Sequence, residues 1–239
     1  MTTADSKPPD APPPAPAGAH AARVKHHTRA RFEKWALSYD RSRLNEFVFY
    51  PTVRAVLEEL AHWQAARGDR PFRMLDVGCG TGTLLTLVAE NPRAEMLVGL
   101  DYAAEMARRS TRKFQAGERA GKLRIVRGDA ERLPFPERSF DVVTCCNSFH
   151  HYPHQAEAIR GFRRVLRPGG VLILIDGFRD NVIGWVVFDV AVALAEGHVH
   201  HCAWSEIKSM IEAAGFADLR QRKKNVLAPL LINVATAGE

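Results

Sequence analysis

Short apolar runs that alternate with amphipathic stretches are the feature that most constrains the fold of this chain. From residue 72 onward the runs predict buried strands over Phe72–Val77, Met96–Leu100, Leu123–Arg127, Phe140–Cys145 and Val171–Ile175. Helical spacing between the runs predicts helices over Thr83–Glu90, Ala103–Ala116 and His154–Leu166. Strands that are apolar on both faces and separated by helices form parallel sheets covered on both sides. The sequence therefore predicts an α/β, doubly wound fold.

The regions around this alternation differ in composition. Residues 1–22 are rich in proline and alanine and nearly free of large apolar side chains, which predicts a disordered tail. Apolar spacing within residues 23–70 predicts two or three amphipathic helices that form an N-terminal cap. Residues 71–239 are then the core. A helix over Ser205–Ala214 and strands over Ala217–Lys223 and Leu227–Ala235 close it.

A long apolar segment interrupts the core between Asp176 and His201. We interpret it as a lid insertion at about 177–204 over the edge of the sheet. Its most apolar part, Val182–Ala195, is shorter than the ~18 to 20 residues of a membrane span and contains Asp189. The sequence thus predicts no membrane span.

Charge and cysteine usage bear on partners and location. The net charge of +6 is modest, and a basic run near the N-terminus contributes to it through Arg23, Lys25, Arg29 and Arg31, beside His26 and His27. Such runs are usually solvated, so we expect no nucleic-acid partner. The four cysteines, at 79, 145, 146 and 202, show no CxxC pair, and the N-terminus has no apolar signal-peptide core. Both observations predict a cytoplasmic protein.

The stretch RMLDVGCGTGTL, residues 73–84, places three glycines after the first strand. Ligands of doubly wound sheets bind beyond the carboxyl ends of the strands. Gly78, Gly80 and Gly82 allow the backbone to approach a ligand closely, and the following helix offers free N–H groups. By these features alone, a phosphate or a carboxylate would fit equally well.

Carboxylates near the loop separate the candidates. A dinucleotide fingerprint is G-x-G-x-x-G and a P-loop needs a lysine, whereas this loop is G-x-G-x-G without one. Asp76 would repel a pyrophosphate but would accept a hydrogen bond from an ammonium group. Asp101 and Asp129 follow the next two strands, where they could bind ribose hydroxyls and an exocyclic amine. Together they describe a nucleoside with an amino-acid head.

Four segments resemble the class I S-adenosylmethionine-dependent methyltransferases: LDVGCGTG, VGLDYAAEM, GDAERLPFPERSFDVVTCCNSFHHY and GFRRVLRPGGVLILID. They run in order from about residue 74 to 176. The LPF…SFDVV and LRPGG phrases are most similar to the branch of the ubiquinone/menaquinone C-methyltransferases. FEKWALSYD resembles the N-terminal helix of that branch, with Tyr39 and Asp40 as its Tyr-Asp pair. The resemblance implies a Rossmann-like sheet of seven strands with the last one antiparallel.

The resemblance also implies a cofactor, S-adenosyl-L-methionine, and residues that bind it. The loop would hold the methionine part through Asp76, Gly78, Cys79, Gly80, Thr81 and Gly82. Asp101 would bind the ribose hydroxyls, with Tyr102 and Met106 against the adenine. Asp129 and Ala130 would contact the adenine amine and ring edge, and Asn147 would lie near the methionine head. Tyr39 is a further cofactor-binding candidate.

Candidates for the chemistry follow the fourth strand, in NSFHHYPH. Methyl transfer is an in-line displacement that needs alignment and a dry site, and an oxygen or carbon acid also needs a base. His150 or His151 is the candidate base or orienting group. The alternative is that one packs against the cofactor pocket and the other caps the next helix.

Substrate contacts are expected from apolar and aromatic residues of the cap and the lid: Phe47, Phe49, Tyr50, Trp185 and Phe188. The stretch EGHVHHCAWSE adds His198, His200 and His201. They have three interpretations: a metal site, a lining of the substrate pocket by His200, or a polar turn before the helix at Ser205. Because this chemistry requires no metal, we expect none.

We therefore expect O-, C- or N-methylation of a small, hydrophobic or aromatic acceptor. A nucleotide-dependent oxidoreductase on a similar sheet is the alternative, although the loop spacing and the carboxylates disfavour it. A non-catalytic binding module is a third reading. RNA or protein methylation is less favoured, because NSFH stands where an asparagine-proline-proline-tyrosine type of motif would be. The oligomeric state stays open.

Overall fold

The computed structural model describes residues 22, 24–26, 29–30, 33, 49–115, 121–177, 201–224 and 230–238. The expected tail, most of the cap and most of the lid lie outside these residues. The boundaries at residues 22 and 70, between tail, cap and core, therefore stay predictions. The strands are β1 (Phe72–Val77), β2 (Ala94–Asp101), β3 (Leu123–Arg127), β4 (Phe140–Cys146), β5 (Leu166–Gly177), β6 (Phe216–Lys224) and β7 (Leu230–Ala237). The α-helices are α1 (Tyr50–Ala65), α2 (Thr83–Val88), α3 (Ala104–Gln115), α4 (Gln155–Val165) and α5 (Trp204–Ala213).

The strands form one seven-stranded sheet in the order β3-β2-β1-β4-β5-β7-β6. The pairs among β1 to β5 are parallel, whereas β7 is antiparallel to both of its neighbours. This confirms the expected doubly wound, Rossmann-like class with an antiparallel last strand. The order reverses at β1, so the glycine loop lies at the topological switch point where such sheets bind ligands.

Most predicted elements end within two residues of the observed ones, but the start of β5 was predicted wrongly. We expected the preceding helix to end at Leu166 and the strand to begin at Val171, whereas β5 begins at Leu166. Leu166 pairs with Phe140 of β4, and the register then shifts before Val171 pairs with Val142. The proline and glycines thus form an irregular start to the strand, which tertiary pairing stabilises.

Alternate side chains of the strands pack on opposite faces of the sheet. Leu75, Leu172 and Leu174 point to the face covered by α4 and α5, where Phe162 and Ile211 are fully buried. Met74, Val171 and Ile173 point to the face covered by α1 and α2. Within the described ranges, no helix combines the length and apolar character needed to cross a bilayer.

An ion-pair cluster fixes α1 against the far edge of the sheet. Glu59 of α1 is 3% exposed and accepts hydrogen bonds from Arg222 at 2.7 Å and Arg220 at 3.3 Å, both on β6. Pro51 lies in the first turn of the helix, where its missing N–H costs no hydrogen bond. With α1 held in this way, Tyr50 at its N-terminus lies near the glycine loop.

Candidate active site

The loop after β1 is shaped by three glycines with positive φ, which are 73° at Gly78, 54° at Gly80 and 77° at Gly82. A Cβ on Gly78 would lie 2.3 Å from the Ser148 hydroxyl oxygen, and one on Gly82 would lie 2.4 Å from that of Ser110. A Cβ on Gly80 would have no heavy atom within 4 Å. Two glycines therefore pack against protein, and the third faces open space.

Asp101, at the end of β2, fixes the loop. Its Oδ2 accepts a hydrogen bond from the Gly80 amide and its Oδ1 accepts one from the Ala103 amide, both at 2.8 Å. Burial raises the pKa of Asp101 to about 6, although these backbone N–H groups oppose the rise. Each carboxylate oxygen has a second lone-pair direction, so Asp101 can accept further hydrogen bonds from a ligand.

Asp76, near the end of β1, is buried below the loop and accepts a hydrogen bond from the Thr144 hydroxyl at 2.7 Å. Burial raises its pKa to about 7, and the nearby Asp101 charge adds to the rise while the Thr144 bond opposes it. A cation beside Asp76 would favour its ionised form and relieve this unfavourable burial. The site is therefore suited to a positively charged ligand group.

Two adjoining pockets open at these strand ends, and Gly78, Gly80, Cys146 and Asn147 line both. The first measures about 810 Å³, part of it open to solvent, and its lining includes the predicted cofactor residues Gly78, Gly80, Asp101, Tyr102, Met106, Asp129, Ala130 and Asn147. The second is lined by Tyr50, Asp76, Cys79 and Thr81, among others. Gly82 lines neither and instead begins α2 as its N-cap. The structure thus brings these predicted residues together, whereas Tyr39 lies outside the described residues.

Asp129 has a partner that the sequence did not suggest. The Lys25 amine donates to Asp129 Oδ2 at 2.6 Å and lies 2.5 Å from Glu131 Oε2. Burial lowers the pKa of Lys25, but its contacts with the two carboxylates outweigh this and raise it, so the amine stays charged. Lys25 lines the first pocket with Arg29, so the basic run that we interpreted as solvated reaches the candidate site.

Asn147 has a positive φ of 51°, which asparagine tolerates better than most residues. The backbone N–H of Asn147 donates a hydrogen bond to the carbonyl of Ile175 at 2.9 Å, and this bond joins the end of β4 to β5. The resulting bend directs the chain from β4 into the 3₁₀ turn Phe149–His151. The two candidate histidines therefore lie between the ends of β4 and β5.

The two histidines have different positions. His151 lines the first pocket. His150 is buried behind it, and its Nδ1 lies 2.7 Å from Oδ1 of Asp176, near the end of β5. Oδ2 of Asp176 also accepts a hydrogen bond from the His150 amide at 2.9 Å. In the alternative interpretation one histidine packs at the pocket and the other caps the next helix; the side-chain contact of His150 is with Asp176.

His201, which we interpreted as part of a polar turn or a pocket lining, is 2% exposed and stacks on His150. Their ring centroids are 4.4 Å apart and the planes differ by 19°. Ligand atoms of His150, Asp176 and His201 all lie within 4.8 Å of one another. A metal ion lies in the plane of each imidazole that binds it, and two nearly parallel, stacked planes do not meet at a common ion. This arrangement favours a hydrogen-bonded and stacked cluster over a metal centre.

Asp176, like Lys25, is a site residue that sequence reasoning missed. It ends the run VLILID just as Asp101 ends VGLD, so the same signal was available. The substrate candidates Phe47, Trp185, Phe188 and His200 lie outside the described residues and stay predictions. Tyr50 is 51% exposed at the second pocket. The four cysteines are free thiols, three of them buried, and Cys146 is partly exposed.

Comparison with known proteins shows what the region around this site is similar to. Residues 75–174 match a family described as "Methyltransferase domain". This part of the chain, fewer than half of its 239 residues, is thus similar to a methyltransferase domain. The match covers the second half of β1, the glycine loop, β2 to β4 and most of β5. The cofactor of this methyltransferase class is S-adenosyl-L-methionine, and the oxidoreductase alternative has no support from the match.

Individual relatives agree with this assignment. The chain is 32% identical over 143 residues to an uncharacterized methyltransferase, YcgJ, of Bacillus subtilis, which covers 59% of this chain and 55% of that protein. It is 32% identical over 156 residues to a demethylmenaquinone methyltransferase of Listeria welshimeri, with 64% of each chain covered. The chain thus spans 55% and 64% of the length of these two relatives, which is less than two thirds of either. The crystal structure of YcgJ superimposes with a TM-score of 0.65 at 21% identity, over 75% of this chain and 97% of that one, which shows the shared fold.

The residues at the two pockets fit S-adenosyl-L-methionine. Its hydrogen-bond donors are an ammonium group, two ribose hydroxyls and an adenine amine, and the sulfonium adds a second positive charge. The described site offers acceptors in Asp76, Asp101 and Asp129, and Gly80 leaves the face of the loop open. The same carboxylates would repel the phosphates of a nucleotide.

Proposed function

We propose that this chain transfers the methyl group of S-adenosyl-L-methionine to a small, apolar or aromatic acceptor. The observation that carries the proposal is the convergence of the open Gly80 loop with Asp76 and Asp101 at the switch point of the sheet. The expected ligand is a cationic amino-acid head beside Asp76 and a ribose at Asp101. The family match to residues 75–174 supports the reaction class.

The acceptor class is supported by the relatives and by the pocket lining. Several of the relatives are named demethylmenaquinone methyltransferases, which favours a quinone-like, aromatic acceptor. The second pocket carries Phe49, Tyr50 and Val53 at the start of α1. These side chains offer apolar surface for a ring system.

The cofactor, when bound, supplies an electrophilic methyl group on a sulfonium. The contribution of the protein is alignment and exclusion of water. Asp101 holds Gly80 in place through its hydrogen bond, so the loop and the ribose-binding carboxylate keep a fixed separation. Asn147, bent at the end of β4, lines both pockets and would orient the methionine head at their junction.

Incubation of the full chain with methyl-labelled S-adenosyl-L-methionine and cell extract tests the proposal. We expect label in the small-molecule fraction. Asp101→Asn should lower the rate of labelling at least tenfold, whereas Asp69→Asn, a carboxylate 92% exposed and paired with Arg93, should not change it. Label in protein or RNA would contradict the proposed acceptor class, and no label in any fraction would contradict methyl transfer.

A further inference from the structure

The helix α3 has two faces of different character. Met106 lines the first pocket and is only 2% exposed. A second face carries side chains at the i, i+3 and i+4 spacing that places residues on one side of a helix: Ala104, Ala107, Arg108, Thr111 and Arg112. Small side chains and arginines therefore share a side of α3 that differs from the side lining the first pocket.

This second face of α3 and the edge strand β3 enclose a third cavity, which we name the α3–β3 groove. It measures about 720 Å³, part of it open to solvent, and Ile125 and Arg127 of β3 complete its lining. Cavities of about 300 to 1,000 Å³ are the size that small-molecule ligands occupy. The proposed methyl transfer uses no residue of this groove.

The groove lies in a basic part of the chain. Residues 104–127 contain eight lysines and arginines and two glutamates, a surplus of six positive charges. The net charge of the whole chain is also +6, so the charges of the remaining sequence balance. Three of the cations, Arg108, Arg112 and Arg127, line the groove. A positive potential concentrated in a cleft attracts anions.

Two of these three arginines are available to a ligand. Arg112 and Arg127 are exposed, and within the described ranges neither side chain has an ion-pair or hydrogen-bond partner. The third, Arg108, is 64% exposed and lies 2.5 Å from Oε2 of Glu105. A ligand would therefore meet two free guanidinium groups and a third that shares its charge with a carboxylate.

The cations outside the groove do not extend it into a longer basic surface. Arg109 pairs with Glu105 at 3.3 Å, and Lys113 lines the second pocket. Arg124 lies on the face of β3 opposite to Arg127, because side chains alternate along a strand. An extended polyanion such as nucleic acid needs cations that follow its backbone. The arrangement therefore favours a compact anion.

The chemistry of the lining favours phosphate over carboxylate. A guanidinium group donates two parallel hydrogen bonds to either anion. A phosphate group offers three acceptor oxygens and close to twice the charge of a carboxylate, so it can satisfy more than one arginine. Arg108 and Arg112 are one helical turn apart, about 6 Å, so neighbouring phosphates of one ligand can reach both.

We propose that the α3–β3 groove is a second ligand site, which binds a compact ligand with two or more linked phosphate groups. The arginines hold the phosphates. Ala104, Ala107 and Ile125 add apolar surface beside them, on which a flat group attached to the phosphates can pack. The ligand chemistry is thus that of a nucleoside polyphosphate or of a short inorganic polyphosphate.

The groove and the first pocket lie back to back without sharing a lining residue. Met106 of α3 lines the first pocket, whereas the next residue, Ala107, lines the groove. Arg127 ends β3 in the groove, and Gly128 and Asp129 directly after it line the first pocket. Both sites can therefore be filled at the same time.

Calorimetric titration of sodium tripolyphosphate into the full chain, with and without saturating S-adenosylhomocysteine, tests the proposal. We expect one site, whose Kd changes less than about threefold when S-adenosylhomocysteine is present, because solvent and salt screen the two sites from each other. Arg112→Met and Arg127→Met should each weaken binding about tenfold, as expected for loss of charge-assisted hydrogen bonds. Arg124→Met is the matched control on the same strand and should change the Kd less than about twofold.

Three further measurements sharpen the test. Glu105→Gln releases Arg108 and should tighten tripolyphosphate binding about two- to fivefold. Amide hydrogen exchange should slow in residues 104–115 and 123–127 when tripolyphosphate is added, and not in β6 and β7. Adenosine triphosphate distinguishes the two ligand sources: tighter binding than tripolyphosphate would identify a nucleoside polyphosphate, and equal binding an inorganic one. Melting temperatures of all variants exclude unfolding as the cause of a loss.

Several outcomes would overturn the inference. Equal weakening by Arg124→Met and by the groove variants would show unspecific attraction to arginines that only keep the edge strand from pairing with other chains. Displacement of tripolyphosphate by S-adenosylhomocysteine would place the anion in the cofactor pocket. Citrate binding as tightly as tripolyphosphate would contradict the phosphate class, and tighter binding of a single-stranded DNA of about 12 nucleotides would show a nucleic-acid surface. Absence of tripolyphosphate binding would remove the second site and leave the proposed methyl transfer unaffected.

Discussion

The amide of Gly80 donates a hydrogen bond to Oδ2 of Asp101 at 2.8 Å, across the gap between the loop after β1 and the end of β2. This bond fixes the loop that faces the ligand relative to a carboxylate 21 residues further along the chain. Oδ1 of the same carboxylate accepts a hydrogen bond from the backbone N–H of Ala103, which fixes the residues that lead into α3. The contact between Gly80 and Asp101 joins the carboxyl ends of the neighbouring strands β1 and β2.

Alanine substitutions at Gly78 and Gly80 should have opposite consequences. Gly78→Ala should destabilise the fold by at least about 2 kcal/mol, because its Cβ would clash with Ser148 and φ is positive. Gly80→Ala should cost only about 1 kcal/mol in stability, since its Cβ meets open space. It should nevertheless weaken S-adenosylhomocysteine binding tenfold or more. Denaturant unfolding and ligand titration measure the two effects, and equal binding to wild type and Gly80→Ala would contradict this use of the loop.

Cofactor binding should release a proton from Asp76. Burial raises the pKa of Asp76 to about 7, and an ammonium group beside it should lower that pKa. Affinity for S-adenosylhomocysteine should therefore fall as the pH falls from 8 to 6. Calorimetry in buffers of different ionisation enthalpy measures the proton release, which Asp76→Asn should abolish. Binding without any proton release at pH 7 would show that the amino-acid head lies elsewhere.

The same raised pKa values predict the pH dependence of stability. Asp76 and Asp101 are harder to ionise when folded than when unfolded, so the folded state binds more protons between about pH 4 and 7. The free energy of unfolding should therefore decrease as the pH rises through this window. Asp76→Asn should flatten the dependence. The pH dependence of Asp76→Asn gives the contribution of the other titratable groups. If the wild-type free energy of unfolding increased with pH over this window after that contribution was subtracted, the raised pKa of Asp76 would be contradicted.

Lys25 should compete with the ligand at Asp129. Its amine occupies one oxygen of that carboxylate and also pairs with Glu131, so adenine must share or displace it. Lys25→Met should tighten S-adenosylhomocysteine binding about two- to fivefold, as expected for loss of a partly exposed ion pair. Lys122→Met, at an exposed lysine outside both pockets, is the control. Weaker binding in Lys25→Met would mean that the lysine assists the ligand.

The Glu59 cluster should contribute to stability without affecting the site chemistry. Replacing both Arg220 and Arg222 by methionine leaves Glu59 buried without these two partners and should cost about 2 kcal/mol, a value reduced by the exposure of the arginines. Lys208→Met, which breaks an exposed pair with Glu212, should cost less than 0.5 kcal/mol. Chemical denaturation measures both. Equal costs would show that burial of Glu59 does not matter.

The fold was largely predictable because its strands are apolar on both faces and its helices are amphipathic. The pattern that predicts β4 and β1 is local and strong, as Val142, Val143 and Met74 are fully buried. The start of β5 was not predictable from local sequence, since Pro168 and Gly169 have turn character and only pairing of Leu166 with Phe140 places them in the strand.

Site residues were predictable where they end a strand in a recognised phrase, as Asp76 and Asp101 do. Contacts between distant segments were not predictable. The approach of Lys25 to Asp129 spans 104 residues, and the stacking of His201 on His150 depends on how the chain returns after residue 200. No periodicity or motif encodes such pairs, because they arise only when the sheet has assembled.

Titration of S-adenosylhomocysteine into the full chain by calorimetry, with NADH as the comparison ligand, tests the central claim most directly. We expect one S-adenosylhomocysteine site that Asp101→Asn weakens at least tenfold and Asp69→Asn leaves unchanged, and no binding of NADH. Binding of NADH without S-adenosylhomocysteine, or S-adenosylhomocysteine binding that is indifferent to Asp101→Asn, would contradict the claim that this strand edge holds the methyl donor.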